Sequence, residues 1–96
     1  MITHQTISIE GRSAKVWLGG SGRPLVLLHG GFGDAEQHWR ATFNAFAAHC
    51  HIVAPDLPGF GVSAPLAVPS YQSYLSWITV LFEMLGLAGP MLMMGN

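Results

Sequence analysis

The sequence predicts an α/β fold in which a mostly parallel sheet follows an antiparallel N-terminal hairpin. Two observations carry this prediction. Short apolar runs such as Leu25–Leu28 alternate along the chain with two longer stretches whose apolar residues recur at helical spacing. A continuous apolar run is typical of a strand that is buried on both faces, as in the middle of a parallel sheet. Strands that alternate with helices favour a parallel sheet connected by right-handed crossovers.

The hairpin is predicted from the first two strand-like segments. Residues His4–Ile9 alternate weakly and are rich in β-branched side chains, Glu10–Arg12 form a turn, and Ser13–Leu18 form the second strand. We expect Gly19–Pro24 to be a loop, because glycines and a proline do not easily continue a strand. The third strand is then Leu25–Leu28.

A first helix is predicted over Ala35–Ala48. Asp34 is its N-cap, and Gln37 stands three residues later, as in a variant of the capping box. The strand that follows covers His49–Ala54 and is ended by Pro55. Residues at helical spacing form the buried stripe of this helix: Trp39, Phe43, Phe46 and Ala47.

A second helix is predicted after a loop rich in glycine and proline, Asp56–Pro69. Ser70 caps this helix, which covers Tyr71–Leu85, and Gly86 ends it as a C′ glycine. A further buried strand begins over Met91–Met94. The apolar face of the second helix consists of Tyr74, Trp77, Ile78, Leu81, Phe82 and Leu85.

The composition is unusually apolar for a short chain. Of 96 residues, 50% are hydrophobic and only 9% are charged, against a usual charged share of about 25%. A chain of this size forms only a modest core. We therefore expect residues 1–96 to be the N-terminal part of one incomplete domain. Its apolar faces would pack against the remainder of the same polypeptide.

Charge and hydropathy exclude two classes of partner. The net charge is −1, and no basic stripe forms, so nucleic-acid binding is not expected. No run of about 18 apolar residues exists, so no membrane span is expected either. The N-terminus carries no secretory signal pattern. The basic residues are scattered: Arg12, Lys15, Arg23 and Arg40.

Cys50 and its two neighbours bear on redox state and metal binding. One cysteine cannot form an internal disulfide, and it is compatible with a reducing, cytoplasmic compartment. His49 and His51 are possible metal ligands, but a metal site needs three or four converging ligands, and the spacing supplies no further ones. The sequence therefore predicts no metal.

The first motif that bears on chemistry is the glycine-rich stretch His29–Gly33, between the third strand and the first helix. The consecutive glycines Gly30 and Gly31 let the backbone turn tightly and bring its N–H groups close to a ligand. Gly31–Gly33 also resembles the start of a dinucleotide-binding fingerprint. However, the third glycine of that fingerprint would fall at Glu36, so the sequence disfavours this alternative.

Two side chains of this motif have more than one interpretation. His29 is either a catalytic base or a residue that donates a structural hydrogen bond and shapes the loop. We favour the structural role, because it is the commoner one for a histidine at the end of a buried strand. Phe32 lies between two glycines, and either a core position or a pocket-lining position is compatible with that pattern.

The second motif is the loop Asp56–Ser63, in which Gly59 and Gly61 fix a tight turn after a strand. Asp56 is a candidate acid, but we expect its carboxylate to accept hydrogen bonds from backbone N–H groups in the turn. Ser63 is a candidate nucleophile. Because Gly61-Val62-Ser63 is followed by alanine and proline, it lacks a nucleophile motif, and we interpret it as a hydroxyl that stabilises the loop.

The third motif is Gly95-Asn96, which matches the first two letters of Gly-x-Ser-x-Gly, the turn that carries a nucleophilic serine. Together, the loop at His29–Gly31, the loop at Asp56–Ser63 and Gly95–Asn96 resemble the α/β-hydrolase superfamily. The motifs occur in the family's order, and the match extends over nearly the whole chain. The fold class implied is the N-terminal half of an α/β-hydrolase fold, ending at the nucleophile elbow.

The resemblance implies a serine hydrolase that acts on a small-molecule ester, thioester, lactone or activated C–C bond, with a carboxylic ester favoured. The backbone N–H of Gly31 or Phe32 would form the oxyanion hole, Phe32 would contact substrate, and the nucleophile would follow Asn96. No cofactor is implied, since water and protein groups suffice. The triad lies outside these residues, so the chain alone is expected to be inactive.

Two alternatives accompany the leading hypothesis. Superfamily members with an aspartate nucleophile, namely epoxide hydrolases and haloalkane dehalogenases, form the enzymatic alternative. A binding protein that keeps the α/β-hydrolase fold without a triad is the non-catalytic one. The Gly-Asn opening of the elbow slightly favours serine, because it resembles the elbows of esterases and of hydrolases that cleave meta-ring-fission products.

Overall fold

The computed structural model describes residues 2–29, 33–87 and 92–95. Most predicted boundaries agree with it to within two residues. In chain order the elements are β1 (Thr3–Ile9), β2 (Arg12–Gly20), β3 (Arg23–Leu28), α1 (Ala35–Ala47), β4 (Cys50–Pro55), α2 (Tyr71–Met84) and β5 (Leu92–Gly95).

The five strands form one sheet in the order β1-β2-β4-β3-β5. β1 pairs with β2 and β2 with β4 in antiparallel fashion, whereas β3 pairs with β4 and with β5 in parallel. Glu10 and Gly11 connect the hairpin with φ angles of 53° and 82°, as a two-residue type I′ turn requires. The predicted α/β class with an N-terminal hairpin is confirmed, and the sheet is mixed.

Two sequence predictions about strand ends are wrong. Only Ser21 and Gly22 of the expected 19–24 loop lie between strands, because β3 already begins at Arg23. Pro24 pairs with His51 of β4, and within the described residues the pairing of β3 with β5 begins at Leu25. β4 includes Pro55 as its last residue instead of stopping at Ala54. Pro55 pairs with Val16 of β2, beyond the last β3–β4 pair.

The two helices cover opposite faces of the sheet. Neighbouring residues of a strand point to opposite faces, and on β3 Val26 packs with α2 whereas Leu25 and Leu27 pack with α1. The α2 face buries Ile9, Ala14, Val16, Val26, Val53, Trp77 and Leu81. The α1 face buries Leu25, Leu27, Ala35, Trp39, Phe43, Ile52 and Ala54.

Both predicted N-caps are confirmed. The Asp34 carboxylate accepts a hydrogen bond from the Gln37 N–H at 2.9 Å, and the Ser70 hydroxyl accepts one from the Ser73 N–H at 3.1 Å. After α2, Gly86 adopts a φ of 68°, the left-handed conformation expected of a C′ glycine. The caps fix where each helix begins relative to the strand before it.

Candidate functional site

The carboxyl ends of β3 and β5 lie side by side. These strands pair in parallel, and the register sets Leu28 opposite Gly95. Adjacent strands are about 4.8 Å apart, so β3 and β5 end close together at the same edge of the sheet. In open α/β sheets this edge is where ligands bind.

Several predicted site residues lie outside the described residues, namely Gly30, Gly31, Phe32 and Asn96. Their assigned roles in an oxyanion hole, a pocket wall and an elbow therefore remain predictions. The structure does describe both flanks of the first three, His29 before them and Gly33 after them. It also describes the backbone of Gly95 at the end of β5.

His29 receives a hydrogen bond from the second motif. Its side chain is 3% exposed, and its Nε2 accepts from the Leu57 backbone N–H at 2.9 Å. The rings of His29 and Phe60 also make an edge-to-face contact, with their centroids 5.1 Å apart. The sequence predicted that the imidazole donates a structural hydrogen bond. In the bond with Leu57 it is the acceptor. The imidazole therefore fixes the loop backbone as an acceptor at Nε2.

Asp56 is the most buried ionisable residue of the site, at 1% exposure. Its Oδ1 accepts a hydrogen bond from the Ala35 backbone N–H at 2.9 Å. The predicted partner was a backbone N–H of its own turn, and the observed one is 21 residues away at the first residue of α1. A helix N-terminus has unpaired N–H groups and a partial positive charge, so it stabilises this carboxylate.

Gly61 lets the second motif cross directly over the Asp56 carboxyl group. Its φ is 54°, and a Cβ at this position would collide with Asp56 Oδ2, with Asp56 Cγ at 2.9 Å and with Asp34 Cβ at 3.0 Å. Gly59 is left-handed as well, yet a Cβ there would meet Pro65 only at ordinary contact distances, 3.7 and 3.9 Å. Of these two glycines, only Gly61 lies so close to its surroundings that a Cβ would collide with them.

Ser63 ties the second motif to β2. It is 5% exposed, and its Oγ accepts a hydrogen bond from the Lys15 N–H at 3.0 Å. The Lys15 carbonyl accepts from the Asp56 N–H at 2.8 Å, and the Ser13 carbonyl accepts from the Ala64 N–H at 2.9 Å. The loop thus continues the pairing along β2 after β4 has ended.

We expect Ser63→Ala to lower the free energy of unfolding by about 1–3 kcal/mol, because the Lys15 N–H loses its acceptor in a partly buried place. The turnover number of the full-length protein should not change. Urea unfolding and steady-state kinetics measure the two effects. Ser76→Ala, at an exposed serine, is the control. Abolished turnover in a folded Ser63→Ala protein would contradict the assignment and make Ser63 a nucleophile.

Other features of the described residues do not add to this site. No three His, Cys, Asp or Glu side chains in the described ranges lie close enough to hold a metal ion, His49, Cys50 and His51 included. None of the helices described is long and apolar enough to cross a membrane.

An open groove of about 300 Å³ lies away from the motifs. It is lined by residues near the hairpin turn, in the loop between β4 and α2, and in α2, namely Glu10, Arg12, Leu66, Ala67, Val68, Ser73 and Ser76.

The fold and the motif loops identify the class of protein. The chain belongs to the alpha/beta hydrolase fold family, whose model matches residues 23–96. The matched region begins at β3 and contains both helices and all three motifs. Hence the family match covers all three motifs of the candidate site.

Two relatives and one solved structure illustrate which proteins this chain is similar to. An Acinetobacter baylyi enzyme, (E)-2-((N-methylformamido)methylene)succinate hydrolase, is 34% identical over 86 residues, which are 88% of this chain and 32% of that protein. A soluble epoxide hydrolase of Corynebacterium sp. (strain C12) is 42% identical over 62 residues, 65% of this chain and 21% of that protein. The structure of the epoxide hydrolase CorEH without ligand superposes with a TM-score of 0.82 at 33% identity, covering 90% of this chain and 30% of that one.

The chain spans about a third or less of each of these relatives. The likenesses establish the fold and the family, and they show that related proteins are hydrolases. Which bond the whole protein cleaves, and with which nucleophile, is a separate inference.

Proposed function

We propose that the full-length protein is a serine hydrolase acting on a small ester, thioester, lactone or activated C–C bond. The observation that carries this proposal is the parallel register of Leu28 with Gly95. It sets the end of β3, the strand that precedes the glycine-rich segment, beside the end of β5. Acyl transfer needs the nucleophile and the N–H donors close together, because backbone N–H donors must point at the oxygen of the carbonyl that the nucleophile attacks.

The proposed chemistry assigns one role to each part. A serine after Asn96 attacks the substrate carbonyl, and the backbone N–H of Gly31 or Phe32 stabilises the oxyanion, a contribution of about 10²–10³ in rate for one donor. A histidine elsewhere in the full-length protein takes the serine proton and an acid orients that histidine. The intermediate then collapses: the bond from the carbonyl carbon to the alcohol, thiol or carbon leaving group breaks, and the leaving group takes the proton from the histidine. Water, deprotonated by the same histidine, then cleaves the acyl-enzyme and releases the acid and the free serine. Phe32 lines the pocket, and no metal or organic cofactor takes part.

An aspartate nucleophile is the second candidate, and the 42% identity to a Corynebacterium epoxide hydrolase supports it. In that case a carboxylate oxygen attacks an epoxide carbon, the ring C–O bond breaks, and the released oxygen takes a proton from an acid elsewhere in the full-length protein; water then cleaves the resulting ester to the diol. The same N–H groups would stabilise the oxyanion of the second step. A protein that only binds a ligand is the third possibility for this fold.

Covalent labelling separates these candidates. We expect a fluorophosphonate to form one adduct per full-length protein, on the residue that follows Asn96, and p-nitrophenyl acetate to give a burst of nitrophenol. Mass spectrometry of the intact protein and of its peptides reads out the adduct. Ser63→Ala should label as the wild type does. Absence of an adduct together with conversion of styrene oxide to its diol would favour the aspartate candidate, and absence of both activities would favour a binding protein.

A further inference from the structure

Within the described part of the chain, the sheet edge formed by β1 is paired on one side only. β1 stands first in the strand order, and its one partner is β2, over the seven residue pairs from Thr3 with Leu18 to Ile9 with Arg12. Five of its seven residues are exposed. β5 lies at the opposite edge of the sheet, four strand spacings or about 19 Å away. The outer edge of β1 is therefore open to another strand.

The hairpin turn determines which backbone groups of β1 point outward. A two-residue turn closes on a hydrogen-bonded pair, here Ile9 with Arg12. Hydrogen-bonded and non-hydrogen-bonded pairs then alternate along an antiparallel ladder. The N–H and C=O groups of every second residue of β1 therefore point away from β2, and these residues are His4, Thr6 and Ser8.

Contacts of β2 support this assignment independently. Thr6 lies opposite Lys15. The Lys15 N–H donates to Ser63 Oγ at 3.0 Å, and its carbonyl accepts from the Asp56 N–H at 2.8 Å. Lys15 thus directs both backbone groups to the second motif and away from β1, as in a non-hydrogen-bonded pair. The N–H and C=O groups of Thr6 then face outward as well.

The outward groups of β1 match those of a second copy of the same strand. With a two-fold axis at Thr6, that residue lies opposite itself and His4 lies opposite Ser8. All three outward residues then form hydrogen-bonded antiparallel pairs with the second copy. An axis at Gln5 or at Ile7 would pair only two of the three. The register centred on Thr6 therefore satisfies the most backbone groups.

The composition of β1 also suits pairing with itself. Exposed edge strands commonly carry a charged residue or a proline that blocks further pairing, and residues 3–9 contain no Lys, Arg, Asp, Glu or Pro. A two-fold interface sets a patch against the same patch, so a charge near the axis would face its own kind at a cost. The titratable residue of the strand, His4, lies opposite Ser8 in this register.

We propose that the full-length protein forms a two-fold dimer in which the β1 strands of two copies pair antiparallel about Thr6. This contact joins the two five-stranded sheets into one. It does not depend on the proposed function, since β1 contains no residue of the candidate site. One strand from each copy makes a small interface, so the association is expected to be weak and reversible.

Thr6→Pro tests the central pair. Proline has no N–H, and an edge strand tolerates it where the N–H faces outward, so the hairpin should stay intact while pairing at the axis is lost. Thr6→Val keeps the N–H and is the matched control. Sedimentation velocity of the full-length protein at several concentrations gives the association constant. We expect Thr6→Pro to lower that constant by about tenfold or more, the equivalent of the two central hydrogen bonds, and Thr6→Val to change it by less than about threefold.

Cysteine cross-linking tests the register. The Cα atoms of a hydrogen-bonded antiparallel pair are about 5.5 Å apart, within the range of about 4.4–6.8 Å that a disulfide spans. Thr6→Cys should therefore give a disulfide-linked dimer under mild oxidation. Ser8→Cys, which lies opposite His4 in the second copy, should not. The wild-type protein is the control for Cys50, the half-buried cysteine of β4.

Different failures point to different structures, and each of them overturns the proposal. A wild-type protein that stays monomeric up to its solubility limit has no such interface. A wild-type dimer that persists in folded Thr6→Pro pairs through another surface. A monomer whose Thr6→Cys thiol also resists alkylation has β1 covered by the rest of its own polypeptide. If Thr6→Pro does not fold, absence of the Thr6→Cys cross-link is the result that contradicts the dimer.

Discussion

Gly20→Ala is expected to lower the free energy of unfolding by about 2–5 kcal/mol. Gly20 has a φ of 78°, and a Cβ there would collide with the Cys50 carbonyl oxygen, with the Ala47 carbonyl oxygen at 2.7 Å and with Ala47 Cα at 2.9 Å. All three are backbone atoms, so no side-chain rotation relieves the contact. The left-handed conformation costs about 1–2 kcal/mol in a residue with a Cβ, and overpacking adds about 1–3 kcal/mol.

Gly11→Ala is the matched control for this prediction. Gly11 has nearly the same φ, 82°, but a Cβ there would meet nothing within 4 Å. It should cost only the conformational part, about 1–2 kcal/mol. Urea unfolding of the full-length variants, monitored by circular dichroism, gives both values. Equal losses would mean that the packing of β2 against the α1–β4 connection contributes nothing.

Trp77→Ala is expected to cost a similar amount, about 3–5 kcal/mol. Trp77 is the largest fully buried side chain, at 1% exposure, and it lies between α2 and the sheet. Its removal leaves a cavity that neighbouring side chains fill only in part. Thermal and urea unfolding should both show the loss. The other buried members of its core cluster are Ile9, Ala14, Val16, Val26, Val53 and Leu81.

Tyr71→Ala controls for the loss of an aromatic residue from the same helix. Tyr71 opens α2 and is 79% exposed, so its removal should change stability by no more than about 0.5 kcal/mol. A loss at Trp77 as small as the loss at Tyr71 would refute the packing of α2 on the hairpin and the sheet.

Local patterns in the sequence were sufficient for most of the fold. Apolar spacing placed α1 and α2, and Asp34 and Ser70 were recognised as caps, because helix periodicity and capping act over a few residues. The strand ends at Pro24 and Pro55 were mispredicted. Pro55 lies beyond the last β3–β4 pair, where β4 pairs with β2, and such an edge position tolerates a proline. The neighbours of a strand depend on the sheet as a whole.

The candidate site divides in the same way. The sequence by itself determined the α/β class, the two helices and the positions of the three motifs, since each depends on residues close together in the chain. The tertiary structure decided which partners the buried polar groups have. Asp56 was expected to bond within its own turn, yet it bonds Ala35, and His29 accepts from Leu57. Such bonds join distant segments, and only the order and register of the strands bring those segments together.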